Sequence, residues 1–92
     1  MHVKFDDVEV KETDMDPDLM AESIEIAKEA QKKYVEDKDI AAYIKDTFEQ
    51  KFGPTWHCVV GRSFGSRVSY EIQHFILLKI KHVSVMIFKC GF

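Results

Sequence analysis

The first half of the chain carries two apolar stripes at helical spacing. The first stripe is formed by Met20, Ile24, Ala27, Ala30 and Tyr34. Side chains three and four positions apart share one face of a helix, so this spacing predicts an amphipathic helix. Asp16 can accept hydrogen bonds from the free amides of a first turn, and Pro17 suits the first helical position. The sequence therefore predicts a helix that starts at Pro17.

A second apolar stripe follows almost immediately. It is formed by Ile40, Tyr43, Ile44, Thr47, Phe48 and Phe52. Either Asp37 or Asp39 can cap the start of this helix. Gly53-Pro54 is predicted to end it, because glycine tolerates a left-handed turn and proline cannot continue a helix.

After the second helix the apolar pattern changes to a period of two, which is typical of strands. Trp56, Cys58 and Val60 are predicted to share one face of a strand, with His57 and Val59 on the other. The pattern thus places the aromatic ring of Trp56 and the thiol of Cys58 on the same side of a sheet.

Three further segments are predicted to be strands. Residues 72–80 and 83–88 are rich in β-branched and aromatic residues, and Lys81-His82 is predicted to join them as a hairpin. Apolar and charged residues also alternate around Val8. Helices followed by strands indicate an α+β domain, with two helices packed on one face of an antiparallel β-sheet.

Residues 63–69 differ from the other predicted strands. They include Gly65, three serines and Arg67, with only Phe64 and Val68 to bury. Such a segment is too polar for the centre of a sheet. It is predicted to lie at an edge, where unpaired backbone groups are a template for another chain.

Length and charge limit the classes of function. The chain has 92 residues, with 13 basic and 16 acidic side chains, and one domain spanning residues 1–92, with residues 1–7 flexible, is expected at this size. The acidic excess argues against nucleic acid, because phosphate contacts need a concentrated basic surface. The longest stretch without Asp, Glu, Lys or Arg, residues 52–61, is shorter than the about 20 apolar residues of a membrane span.

The cysteines and the N-terminus point to a reducing compartment. Residues 1–10 lack the apolar stretch of a signal peptide. Cys58 and Cys90 are therefore expected as free thiols of a cytoplasmic protein. A nucleophilic role for Cys58 lacks any sign of an activating environment, and a buried thiol is favoured. No catalytic residue is predicted.

No metal or cofactor is predicted either. Asp14, Asp16, Asp18 and Glu25 match the spacing of a calcium-binding loop, but Leu19 occupies the position that requires glycine. An acidic helix N-terminus is the favoured interpretation. The histidines and cysteines show no paired zinc-ligand spacing.

Several stretches resemble the eight-kilodalton dynein light chains, the cytoplasmic light chain type 1 family. Residues 38–45 have the sequence Lys-Asp-Ile-Ala-Ala-Tyr-Ile-Lys, which is similar to the second helix of that family. Residues 54–66 contain Pro-Thr-Trp-His-Cys followed by Phe-Gly-Ser, and residues 74–76 and 88–89 continue the match. The similarity extends from Val8 to the C-terminus, and the chain is identified as a member of that family.

The resemblance implies a strand-swapped homodimer, in which residues 64–69 of each subunit cross over to complete the partner's sheet. It also implies two grooves, each binding an extended partner peptide as an added strand, frequently with a Thr-Gln-Thr core. The implied function is a non-enzymatic adaptor of the cytoplasm and cytoskeleton. It would promote dimerisation of its partners, including the dynein intermediate chain, without nucleic acid, membrane or cofactor.

Residue roles follow from the same resemblance. Asp37 and Lys38 lie where the family engages the peptide glutamine, and residues 63–69 offer the receiving edge. The predicted peptide-binding residues are Lys11, Asp37, Lys38, Arg62, Ser63, Phe64, Gly65, Ser66, Arg67, Val68, Ser69, Tyr70, Phe75, Leu77, Lys79, Ser84 and Met86. The predicted dimer interface contains His57, which faces its symmetry mate, with Phe64, Ser66 and Val68.

Some groove positions depart from the usual family pattern. Tyrosine or histidine is usual where this chain has Arg67, Tyr70, Leu77 and Lys79. Cys90 stands where a regulatory serine is usual. Because Arg67 and Lys79 add positive charge, one alternative is a divergent member that prefers acidic peptides and acts outside the dynein motor. A small thiol-dependent enzyme using Cys58 or Cys90 is a further alternative.

Overall fold

Two helices cover one face of an antiparallel sheet in the computed structural model, which describes residues 3–5, 8–62 and 73–90. The elements in chain order are β1 (Val3–Phe5), β2 (Val8–Thr13), α1 (Pro17–Lys33), α2 (Asp37–Phe52), β3 (Trp56–Gly61), β4 (Gln73–Ile80) and β5 (Val83–Lys89). The strand order is β1-β2-β4-β5-β3, with every neighbouring pair antiparallel. The predicted α+β class and its helix-on-sheet arrangement are confirmed.

The start of α1 agrees with the sequence. Asp16 is the N-cap residue, and its carboxylate accepts a hydrogen bond from the amide of Leu19 at 2.8 Å. Pro17 occupies the first helical position, where its missing N–H costs nothing. Lys32 and Lys33 lie in the last turn, where cations favour the negative end of the helix dipole.

The predicted cap of α2 is wrong. The N-cap residue is Glu36, and neither Asp37 nor Asp39 caps the helix with its side chain. The backbone carbonyl of Glu36 accepts hydrogen bonds from the amides of Asp39 and Ile40, both at 3.0 Å, so the first turn begins one residue before the aspartates. The end of α2 is as predicted, because Gly53 has a φ of 81° and its amide donates to the carbonyl of Glu49.

The main core lies between the helices and the sheet. Ile24 and Ala27 of α1 and Ile44 and Phe48 of α2 are buried there. Trp56 fills the end of this core at 2% exposure, with its ring centroid 4.8 Å from that of Phe48. Burial of such aromatic side chains supplies a large share of the stability of a small domain.

The alternation predicted for β3 is confirmed. Cys58 and Val60 pack against the main core with Trp56, whereas His57 and Val59 are exposed on the opposite face. The two-residue turn Lys81-His82 joins β4 to β5 as predicted, with Lys81 at a φ of 57°.

The two edges of the described sheet are β1 and β3. The predicted edge segment, residues 63–69, and its crossover to a partner lie outside the described residues. The flexibility of residues 1–7 and the extent of the domain stay predictions, although Val3–Phe5 within that segment forms β1.

Candidate functional site

The face of the sheet opposite the helices carries a separate set of side chains. Neighbouring side chains along a strand point to opposite faces, and cross-strand partners share a face. Three rows cross this helix-free face, namely Glu9–Lys79–Ser84–Gly61, Leu77–Met86–Val59 and Phe75–Phe88–His57. The fold thus places five of the predicted peptide-binding residues together on it, namely Phe75, Leu77, Lys79, Ser84 and Met86.

The centre of the helix-free face is apolar. Phe75, Leu77 and Met86 form a buried cluster apart from the main core, and Phe75 is only 1% exposed. Phe88 packs against this cluster, and the imidazole of His57 stacks on the Phe88 ring with centroids 5.6 Å apart. His57, the predicted interface histidine, is therefore held in place by a ring beneath it and is exposed above.

Charged side chains border the apolar centre on the β2 side. Lys79 is half-buried and lies opposite Glu9 in the register of β2 and β4. The ammonium of Lys11 is 3.8 Å from the carboxylate of the same Glu9. Glu9 therefore offsets part of the positive charge that Lys79 brings to this face. Such partly exposed pairs contribute little to stability but set the sign of the local potential.

The first turn of α2 offers backbone donors. Asp37 is half-buried and Lys38 is exposed. The Glu36 side chain makes no capping hydrogen bond to this turn. The amides of Asp39 and Ile40 donate to the Glu36 carbonyl. The amides before them, those of Asp37 and Lys38, lie where an acceptor from outside, such as the oxygen of a side-chain amide, can bind.

The outer edge of β3 borders the helix-free face. Within the described residues β3 pairs with β5 alone. Arg62 directly follows β3 and is exposed. The remaining predicted residues, Ser63, Phe64, Gly65, Ser66, Arg67, Val68, Ser69 and Tyr70, lie outside the described part of the chain.

Two residues hold the start of β4 in place beside the site, although the sequence did not assign them to it. The amide of Phe75 donates to the Asp14 carboxylate at 2.6 Å, and the Thr13 hydroxyl donates to the Phe75 carbonyl at 2.8 Å. The register of β4 shifts just before Phe75, where His74 has a φ of 51°. Asp14 and Thr13 thus fix the backbone that turns Phe75 into the apolar cluster.

The calcium-like spacing has another explanation in the structure. Asp14 is engaged by the Phe75 amide, and Asp16 caps α1. No group of three or more metal-binding side chains lies close together among the residues that the structure describes. Two of the four candidate carboxylates therefore have structural partners.

A polar network ties the start of β3 to α2. The ammonium of Lys45 donates to the Glu49 carboxylate at 2.7 Å and to the Trp56 carbonyl at 3.0 Å. Glu49 in turn accepts a hydrogen bond from the Trp56 amide at 3.1 Å. The hydrogen bond from Lys45 and then that from Trp56 lower the pKa of the Glu49 carboxyl below its ordinary value.

The two thiols lie in different surroundings. Burial raises the pKa of the Cys58 thiol to about 12. The thiolate is the nucleophilic form, so Cys58 is almost entirely the unreactive thiol at neutral pH. Cys90 is exposed and follows β5.

Neither described helix has the combination of length and apolar character needed to cross a membrane.

Comparisons with known proteins agree with this architecture. Residues 7–90 match the family model for dynein light chain type 1. A curated relative from Caenorhabditis elegans, "Probable dynein light chain 2, cytoplasmic", is 54% identical over 85 residues, which cover 92% of this chain and 94% of the relative.

Solved structures share the fold at lower identity. The dynein light chain-like domain of the Fasciola hepatica calcium binding protein FhCaBP2 has a TM-score of 0.81 at 23% identity, with 98% of both chains covered. The DLC-like domain of CsTAL3 has a TM-score of 0.69 at 13% identity, with 90% of this chain and 92% of that chain covered. The family match and the close curated relative together show that this chain belongs to the dynein light chain type 1 family.

Proposed function

We propose that this chain is a non-enzymatic, homodimeric adaptor that binds extended partner peptides by strand addition. The observation that carries the proposal is the helix-free face, where a buried apolar cluster adjoins a strand edge that is open within the described residues. The crossing segment of a second copy is proposed to add to this edge, and a partner peptide is proposed to add to the outer edge of that segment, where backbone donors and acceptors are again free.

The physical basis of binding is the backbone. Each main-chain hydrogen bond contributes a net of about 0.5–1.5 kcal/mol, so one peptide on one edge binds with moderate affinity. A dimer with two such sites joins two partner chains, and linking the sites raises the effective concentration to about the mM range. The adaptor therefore favours partners that are themselves paired.

The dimer is proposed to form through the open side of β3. His57 and Val59 are exposed there, and Val59 at 43% is one of the most exposed large apolar side chains of the described chain. A segment crossing from a second copy along β3 would satisfy the edge, and the body of that copy would cover both side chains on the helix-free face. Residues 64–69 are the predicted crossing segment.

The partners follow from the family. Family membership supports association with dynein, and the relative from Caenorhabditis elegans is named a cytoplasmic light chain. We propose the same compartment here, with the dynein intermediate chain and other proteins that carry extended Thr-Gln-Thr-like segments as partners. The raised pKa of the Cys58 thiol argues against a nucleophilic role for that residue.

Calorimetry with a Thr-Gln-Thr peptide tests the proposal. One peptide is expected to bind per subunit, and a scrambled peptide of the same composition is expected to release no heat. An absence of binding by the Thr-Gln-Thr peptide at high concentration would remove the standard specificity of the family from this chain.

Lys79 supports a second candidate, a preference for acidic peptides. Its position opposite Glu9 means that an acidic guest would compete with a carboxylate already present. If the preference exists, affinity for an acidic peptide falls as salt is added, because screening weakens exposed charge pairs. A flat salt dependence would leave the acidic preference without support.

A further inference from the structure

A groove outside the helix-free face lies where the α1–α2 connection meets the turn between β4 and β5. Its volume is about 320 Å³. Gln31 and Tyr34 line it from the helical side, and Val83 lines it from the start of β5. This volume lies at the small end of the range of about 300–1,000 Å³ for ligand pockets, which is enough for a few side chains of a partner. We call it the flank groove.

One wall of the flank groove is apolar and exposed. Val35, in the connection between the helices, is 95% exposed, and Tyr34 beside it is 40% exposed. Ile40 also lines the groove and is buried. Covering an exposed apolar side chain with a partner lowers the free energy of the complex, because apolar surface is removed from water.

The opposite wall is basic. Arg62, Lys81 and His82 line it, and all three are exposed. Among the residues that the structure describes, none of the three forms an ion pair and no carboxylate lines the groove. Arg62 and Lys81 carry positive charge at neutral pH, so the complementary occupant is anionic. An occupant that also covers Val35 must carry an apolar side chain, which favours an acidic peptide segment over a free anion.

The flank groove adjoins two parts of the proposed peptide site. Arg62 lies between β3 and the predicted receiving edge, residues 63–69. Ile40 lies in the first turn of α2, close to Asp37 and Lys38. The groove lining is thus adjacent along the chain to both of these proposed contacts.

We propose that the flank groove binds an acidic and apolar segment next to the part of a partner peptide that adds to the sheet. This inference rests on the proposed strand addition, and it names a sequence preference outside the added strand. The groove gives the adaptor a way to distinguish partners that share the same core.

Peptides that share one Thr-Gln-Thr core test this preference. Each carries either Asp-Leu-Glu or Ala-Ala-Ala as its flank, placed before the core in one set and after it in another. At low salt the acidic flank at one end is expected to bind about three- to tenfold tighter than alanine, the gain of two or three exposed charge contacts. High salt is expected to remove most of that difference.

A double variant assigns the preference to the groove. Lys81→Gln with His82→Gln is expected to remove most of the salt-dependent difference between acidic and alanine flanks and to leave the contributions of Arg62 and Val35, while the alanine-flanked peptide keeps its affinity. The matched control is Lys51→Gln, which removes one charge at the opposite end of α2, where Lys51 pairs with Glu22. This control is expected to keep the preference.

A third variant separates the apolar wall from the charges. Val35→Ser is expected to bind Asp-Leu-Glu and Asp-Ala-Glu flanks equally, whereas the unchanged protein prefers the leucine. Thermal unfolding of each variant confirms that the fold is retained.

Three outcomes would contradict the flank groove as a peptide site. If acidic and alanine flanks bind equally to the unchanged protein, the flank groove is not a peptide site, while strand addition stands. If no peptide binds, strand addition fails and the inference fails with it. If the Lys81 and His82 changes alter self-association but not the flank preference, the groove is a contact between copies and the proposal is overturned.

Discussion

Burial separates the chemistry of the two cysteines. The Cys58 side chain packs under β3 beside Trp56, whereas Cys90 follows the last strand and is exposed. The same residue type is therefore a packing group at one position and an accessible thiol at the other. Neither role requires a metal or a disulfide.

Thiol labelling of the folded protein distinguishes these two environments. Because burial raises the pKa of the Cys58 thiol to about 12, we expect one fast-reacting thiol per chain in native buffer and two in denaturant. A disulfide reagent with a coloured product gives the count directly. The Cys90→Ser variant serves as the control, and fast labelling of that variant in its folded state would contradict the raised pKa of the half-buried Cys58 thiol.

Glu49 gives a pH-dependent contribution to stability. Its folded-state pKa is lowered, first by the hydrogen bond from Lys45 and then by the Trp56 amide. A lowered folded pKa means that the contribution is present above the unfolded pKa and is lost as the pH falls through the folded pKa. We expect Glu49→Gln to be less stable than the unchanged protein at neutral pH, with the difference shrinking in acid.

Urea unfolding at neutral pH and at about pH 3 measures how the stability difference between the two proteins changes. The difference is expected to shrink at the lower pH because only the ionised Glu49 carboxylate is stabilised by these contacts. Glu29→Gln is a suitable control because Glu29 pairs with Lys33 on the exposed side of α1. A stability difference that stays constant across this pH range would mean that the Glu49 charge does not hold β3 to α2.

At the scale of elements, the junction between β2 and β4 sets the geometry of the helix-free face. Asp14 and Phe75 exchange two hydrogen bonds, from the Phe75 amide to the carboxylate and from the Asp14 amide to the Phe75 carbonyl. At the bulge before Phe75, the Asp14 carboxylate is the acceptor of that amide. A buried donor that loses its acceptor costs more than the net value of a typical hydrogen bond.

Replacing Asp14 with alanine tests this junction. We expect Asp14→Ala to lower the free energy of unfolding by about 1–3 kcal/mol, the cost of removing a charged acceptor from a buried backbone amide. Asp14→Asn is expected to cost less, because its side-chain oxygen can still accept. Asp46→Ala, on the exposed side of α2, is the matched control. Equal urea midpoints for Asp14→Ala and the control would show that the bulge does not depend on this carboxylate.

Local patterns predicted the elements well because their causes are local. The Asp16 cap and Pro17 at α1, Gly53 at the end of α2 and the alternation of His57 and Val59 each depend on a few neighbouring residues. The predicted cap of α2 was wrong because the N-cap residue, Glu36, accepts hydrogen bonds through its backbone carbonyl and not through its side chain. A backbone contact of this kind leaves no signal in the sequence.

Long-range contacts explain what the sequence pattern missed. The contact of Asp14 with Phe75 joins residues 61 positions apart, so no local spacing reveals it. The flank groove likewise combines the α1–α2 connection with Arg62 and the β4–β5 turn. The grouping of Phe75, Leu77 and Met86 on one face could be predicted through the family resemblance and the alternation of strands.

At the scale of the whole molecule, the two faces of the sheet have different tasks. Both helices cover one face and complete a core that a single chain can bury. The other face carries its own buried apolar cluster and ends at β3, with His57 and Val59 exposed beside an edge that pairs with β5 alone in the described chain. Small domains commonly complete such surfaces by association with a second copy.

A charge at Val59 tests whether this edge is the dimer contact. We expect Val59→Glu to shift the protein from dimer to monomer, because a carboxylate buried at an apolar contact loses its hydration without a partner. Val59 is 43% exposed within one chain, so the same change costs little in the fold of the subunit itself. Sedimentation velocity at several concentrations measures the shift, and circular dichroism confirms that the monomer remains folded.

Ala42→Glu is the control for added charge, because Ala42 is exposed on α2, on the helical side of the sheet. This variant is expected to sediment as the unchanged protein does. If Val59→Glu and Ala42→Glu dissociate equally, or if both remain dimeric, the β3 edge is not the surface that joins the subunits. If Val59→Glu alone gives a folded monomer, that monomer is also expected to lose peptide binding. The reason is that the proposed receiving edge depends on the crossing segment of the second copy.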